Sequence, residues 1–180
     1  MKNKFIFFAA LFSSLIFMPN VASAQGQTSS GVLTVQAELT SSISMSFVSD
    51  TNGVALTGTG LNIATLDFGS VSQFSVPPTT ITQTATSTTF TVGTPFDVSV
   101  LKSNVTSANY TLSAQLQTLD AVNVWAIDTV TVATAPATPT AVTVTGAYAT
   151  NALHTLTVTM PFSEAAGTVT NTINFLATAN

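Results

Sequence analysis

An all-β fold, one antiparallel β-sandwich following a cleaved leader, is what this sequence predicts, and three observations predict it. Short runs of alternating apolar and polar residues recur between Gly, Pro, Asn and Asp clusters at about 8 to 12 residue spacing. Outside the first 24 residues no stretch keeps an apolar period near 3.6, so no helix is expected. Threonine, a β-branched residue that favours strands, makes up about a fifth of the chain.

The leader comes first. Lys2 and Lys4 precede an apolar run from Phe5 to Met18, and Val21-Ala22-Ser23-Ala24 supplies small residues before Gln25. That order is the signature of a secretory signal peptide over residues 1–24. Its removal leaves 156 of the 180 residues, with Lys102 as the sole basic side chain against seven acids. The expected locations are therefore the periplasm on the way out, then the cell surface or the medium.

Residues 25–40 read as an N-terminal extension and 41–180 as the sandwich domain. Gln25 to Gly31 is small and polar. Leu33, Val35, Ala37 and Leu39 then fall on one side of an extended chain, with Thr34, Gln36, Glu38 and Thr40 on the other. A second alternating run places Ile43, Met45 and Phe47 together. Asp50-Thr51-Asn52-Gly53 is a turn signal. Ile63 to Phe68 reads as a strand closed by Gly69, and Val76-Pro77-Pro78 as an irregular connection.

Thr88 to Val92 and Phe96 to Leu101 are predicted as two separate strands. Tyr110 to Leu116 alternates as Tyr110, Leu112, Ala114 and Leu116. Val122 to Ile127 carries the only Trp, Trp125, and Val130 to Val132 continues it. Val142 to Tyr148, Leu153 to Met160 and Thr168 to Ala177 complete the strands. Phe47, Phe68, Leu112, Leu116, Val158 and Phe175 are the expected core.

Composition narrows function. Charged residues are 6% of the chain against roughly 25% in ordinary soluble domains. Nucleic-acid binding needs clustered Lys and Arg for the phosphates, and one Lys does not supply them. After the leader no apolar run approaches the roughly 20 residues of a membrane-spanning helix. The chain has no Cys, which excludes disulfides and Cys-based metal sites.

Catalysis has little material. His154 is the only His, and it shares parity with Leu156, Val158 and Met160, so a structural place in a strand is the simpler reading. The acids Glu38, Asp50, Asp67, Asp97, Asp120, Asp128 and Glu164 are scattered singly at turns and strand ends. Asp50-Thr-Asn52-Gly53 lacks the further acids of a calcium loop. No catalytic residue, metal site or cofactor is expected.

Binding has more. Thr155-Leu-Thr157-Val-Thr159 and Thr168-Val-Thr170-Asn-Thr172 line up hydroxyls on a strand face. They read as the polar half of strand alternation, although such rows also suit ice, ordered water or a glycan. Trp125, Tyr110 and Tyr148 would be a sugar platform if exposed, but a Trp in a sandwich is commonly buried. Asn104-Val-Thr106 and Asn109-Tyr-Thr111 fit the glycosylation sequon.

One segment carries a resemblance. Thr65-Leu66-Asp67-Phe68-Gly69-Ser70-Val71, following an N-terminal alternating run, resembles the L-D-F-G-x-V signature of secreted bacterial β-sandwich proteins of the spore-coat-protein-U-like and chaperone-usher pilin type. The terminal run Ala166 to Asn180 resembles their closing strand.

The resemblance implies an incomplete immunoglobulin-like sandwich whose missing strand comes from the next subunit. It makes Leu33, Val35, Ala37 and Leu39 the donor strand. Ile173, Phe175 and Ala177 line the acceptor groove, with Asp67, Phe68 and Gly69 as the family-like motif. The implied partners are other copies of the chain and a periplasmic chaperone. The function expected is that of a pilin-like structural or adhesive surface subunit. A self-complete monomeric sandwich, acting in a matrix or on a glycan, is the alternative.

Overall fold

The computed structural model describes residues 34–163 and 166–180. The expected signal peptide, Gln25 to Gly31, Leu33 and Glu164 lie outside the described residues. Residues 38–180 form one compact unit, and 34–37 fall outside it.

The described chain is all-β, with two antiparallel sheets as in a β-sandwich. Its strands are β1 (Ser42–Val48), β2 (Thr82–Ala85), β3 (Thr89–Ser103), β4 (Asn109–Leu116), β5 (Val124–Ile127), β6 (Val130–Thr131), β7 (Thr140–Ala147), β8 (Asn151–Pro161) and β9 (Ile173–Ala179). The larger sheet runs β1-β3-β8-β5-β6, with β2 also pairing β3. The smaller runs β7-β4-β9.

Alternation puts the core where the sheets face each other. On β4, Tyr110, Leu112, Ala114 and Leu116 are all buried while the residues between them are not. Val92, Phe96, Val98 and Val100 on β3 and Leu156 and Val158 on β8 meet them from the larger sheet in one cluster. Tyr110 is accommodated because Gly146 lies opposite on β7, where a Cβ would come within 2.3 Å of the phenol ring.

β3 departs from expectation because it does not break at Gly93 and Pro95. Gly93 sits where Thr82 of β2 and Thr157 of β8 close in, and a Cβ there would meet Thr82 Oγ1 at 2.9 Å and Thr157 Cγ2 at 3.0 Å. Pro95 lies between the end of the β2 register at Gly93 and the start of the β1 register at Asp97, where one edge of β3 has no strand partner. A residue without an N–H is tolerated at such a place.

Between these residues the buried Thr94 hydroxyl donates to Thr80 O and accepts from Val54 N–H, both at 2.8 Å. One side chain thus ties two loops to the sheet, and Leu56 and Ile81 are buried beside it.

Three other expectations are corrected. Residues 34–40, predicted as an alternating strand, are not in any ladder. Residues 63–68 are likewise outside the ladders apart from a single bridge between Thr57 and Thr65. The last strand begins at Ile173 rather than Thr168. In the first two stretches the apolar alternation is present, but alternation only makes a strand when a neighbouring backbone is available to pair.

Candidate functional site

The outstanding feature of the unit spanning residues 38–180 is an open groove of about 1210 Å³. Its floor is the inner face of the larger sheet, including Phe90, Val92, Leu156, Val158 and Met160, with Trp125 and Ile127 from β5. One wall is the segment 62–73 and the other is 166–175, leading into β9. The groove is therefore lined by inner-face side chains of the larger sheet together with the start of β9 and two loop segments.

The residues expected to be core differ in burial. Leu112, Leu116 and Val158 are buried. Phe47, Phe68 and Phe175 are only partly buried, and all three line the groove. Phe175 contacts Phe47 edge-on at 5.2 Å between ring centroids and Phe96 at 6.0 Å, an arrangement favoured by the ring quadrupoles. All three rings line the groove.

Of the expected acceptor residues, Ile173 and Phe175 line the groove. Ala177 is partly buried further along β9, outside the groove. Of the expected donor residues, Val35 is 79% and Leu39 81% exposed, and Ala37 is exposed as well. In the motif, Leu66 and Phe68 turn toward the core cluster while Asp67 stays exposed. The Asp67 carboxylate accepts the Gly69 N–H at 2.8 Å, and Gly69 takes φ = 64°, a left-handed turn that glycine adopts without strain.

No family model, curated protein or solved structure matches the chain. Its function therefore rests on geometry.

Several titratable side chains hold turns. Asp50 accepts the Asn52 N–H at 2.7 Å, an Asx turn in the stretch weighed as a calcium loop. His154 is buried on the inner face of β8, where its Nδ1 meets Asp128 Oδ2 at 2.9 Å and its ring lies 5.9 Å from Phe96. The same carboxylate accepts the Thr155 N–H at 2.8 Å, so the pair pins the β5–β6 turn onto β8. Among the described residues no group of three His, Asp or Glu comes together as metal ligands would.

Trp125 is buried, with its indole N–H donating to Asp120 Oδ2 at 2.8 Å. It cannot serve as an exposed sugar platform. Burial alone would raise the Asp120 pKa. Hydrogen bonds from the Asn123 backbone, the Trp125 indole, the Asn123 amide and the Val122 backbone outweigh that and hold it at about 2.

Of the threonine rows, Thr155, Thr157 and Thr159 lie on β8 of the larger sheet, whereas Thr168, Thr170 and Thr172 precede β9 and line the groove. Thr91 and Thr159 stand opposite each other on β3 and β8, with their hydroxyls 2.8 Å apart. They satisfy one another across the strands, as cross-strand Thr pairs do. Asn104, at φ = 55°, donates to Thr40 O at 3.3 Å, and Asn109 accepts from the Asn180 amide at 2.6 Å.

The segment 62–73 as a groove wall was missed by sequence reasoning, which placed Ile63 to Phe68 in a ladder. β2 was also missed, because Thr-Gln-Thr-Ala has no apolar alternation to detect. Among the described residues no helix is long and apolar enough to cross a membrane.

Proposed function

We propose that this chain is an exported structural or adhesive surface subunit with an incomplete immunoglobulin-like sandwich, assembling by β-strand addition in the manner of a pilin. The observation that carries the reading is a mismatch. The groove is lined by apolar side chains that stay partly exposed, among them Phe47, Phe68, Met160, Ile173 and Phe175, while Val35 and Leu39 stand exposed on a segment that forms no strand.

An extended chain with alternating apolar side chains is the complement of such a groove. The backbone hydrogen-bonds to a sheet edge and every second side chain fills the hollow. The alternation of Leu33, Val35, Ala37 and Leu39 meets that requirement. In this reading the leader sends the chain through the periplasm to the surface, and a chaperone shields the groove before assembly. The scarcity of titratable groups in the groove suits a structural subunit better than an enzyme, since catalysis is commonly built from such groups.

The test is the association state of the exported full chain, by sedimentation, beside Ala37→Asp. Polymers from the parent and monomers from the variant are expected, because the new carboxylate would have to be buried without a partner. A parent that stays monomeric at high concentration, with Ala37→Asp merely less stable, would make the protein a self-complete extracellular sandwich.

A further inference from the structure

Beyond residue 24 the sequence has only two methionines, Met45 and Met160, and both line the groove. The chain has no cysteine, so these two thioethers are its only sulfur atoms past that point. Met45 lies on β1 opposite Val100 of β3, and Met160 lies on β8 opposite Phe90 of β3. β1 and β8 flank β3 on its two sides. With a rise of about 3.3 Å per residue between Phe90 and Val100, the two methionines stand on the order of 30 Å apart along the strand direction. One groove thus carries a thioether toward each end.

Both side chains are packed against the core cluster without being among its buried members, and both keep part of their surface exposed. They are therefore open to a small oxidant while the chain stays folded. The chemistry is that of any thioether. The sulfur attacks one oxygen of hydrogen peroxide, an S–O bond forms as the O–O bond breaks, the sulfur gives up two electrons, and the other oxygen leaves as water. The product is a polar, chiral sulfoxide. A thiol-dependent reductase reverses it, with the oxygen leaving as water and two thiols closing to a disulfide.

We propose that Met45 and Met160 are paired oxidation sites through which a peroxide makes the groove polar and weakens the docking of an apolar strand. The consequence for docking rests on the strand-addition reading above, whereas the modification itself rests only on where the two sulfurs lie. Each sulfoxide would place a strong acceptor among apolar side chains, and an incoming apolar residue offers it no donor. The wholly buried residues, Val98, Val100, Tyr110 and Leu112 among them, lie in the cluster that Met45 and Met160 only border. Oxidation should therefore change the groove and spare the fold.

The exported full chain is treated with hydrogen peroxide beside the Met45→Leu/Met160→Leu double variant, in which leucine keeps the apolar volume without the sulfur. Peptide mass spectrometry reads the oxygen added at each site, circular dichroism the fold, and sedimentation the association. One oxygen at Met45 and one at Met160 are expected in the folded parent, with unchanged circular dichroism and association weakened by roughly tenfold or more, because each acceptor would be buried without a partner. The double variant should assemble as the parent does and keep assembling in peroxide.

Methionines that stay unoxidised in the folded parent overturn the sites. Oxidation with the association of an assembling parent unchanged overturns their control of the groove, as does an equal loss of association in the double variant. Lost circular dichroism in the oxidised parent also overturns it, since the lesion would then be one of the fold. A parent that is monomeric before any treatment removes the strand-addition reading instead. The sites are then read by an uncharged apolar dye: binding that falls on oxidation in the parent and holds in the double variant supports them, and binding that is absent or unchanged overturns them.

Discussion

The two sides of the sandwich are built from the same kinds of residue but are finished differently. On the side of β4, alternating apolar residues from both sheets interlock, and Tyr110, Leu112, Ala114, Val98 and Val100 are wholly buried. On the groove side, Phe47, Phe68, Met160, Val169, Ile173 and Phe175 are no less apolar and stay partly exposed. Residue type does not separate the two sides. Placement does, since these side chains line the groove while the others are enclosed between the sheets. Stability should therefore be concentrated on the closed side, and association on the open one.

Truncation on the closed side should have the largest effect. Leu112→Ala removes a side chain with no exposure and leaves a cavity between sheets. The expected loss is about 2 to 5 kcal/mol by denaturant unfolding, with little change in any association that survives. Gly146→Ala probes the same side by overfilling. Its Cβ would meet three atoms of the Tyr110 ring at 2.3 to 2.7 Å, and that buried ring cannot swing into solvent. A cost of about 1 to 3 kcal/mol is expected in the same measurement.

Phe68→Ala sharpens the comparison from the other side. A buried Phe would cost about 3 to 5 kcal/mol, whereas this partly exposed ring at the groove wall should cost about 1 to 2 kcal/mol in the isolated subunit. Its effect on polymer formation should be much larger than that small loss implies. If the stability cost reaches the range for a buried ring and assembly is unchanged, Phe68 belongs to the closed core.

Alternation was legible wherever it ended up paired. Tyr110 to Leu116 and Leu153 to Met160 could be read residue by residue because one face is core and the other is solvent. The all-β composition needed no tertiary information either. Pairing was not legible. Ala64 to Phe68 alternates as clearly as β4, and nothing local distinguishes a segment with a neighbour from one without. Gly93 and Pro95 misled for the same reason, since each is accommodated by its neighbouring strands: Gly93 by the close approach of Thr82 and Thr157, Pro95 by a gap on one edge. The groove depends on how distant segments come together, so Ile173 and Phe175 were named through resemblance rather than through their own pattern.

The smallest predicted effect is a dependence on pH at the open side's edge, where Asp120 holds the turn leading into Trp125. Its carboxylate is set at about 2, below the ordinary 3.8, because the folded chain supplies donors from Val122, Asn123 and the Trp125 indole. For an acid whose pKa is lowered by folding, the stabilisation is complete above the unfolded value and is lost as pH falls toward the folded one. The window is therefore pH 4 to 2, and the group's partial exposure keeps the effect small through solvent screening. Asp120→Asn should flatten that part of the stability curve, because an amide at this position cannot titrate. Since Trp125 also lines the groove floor, its fluorescence should shift over the same window in the parent and remain constant in the variant. A parent whose Trp emission is unchanged between pH 4 and 2, with unfolding followed by circular dichroism, would show that Asp120 does not control the indole and that this edge of the groove is held by packing alone.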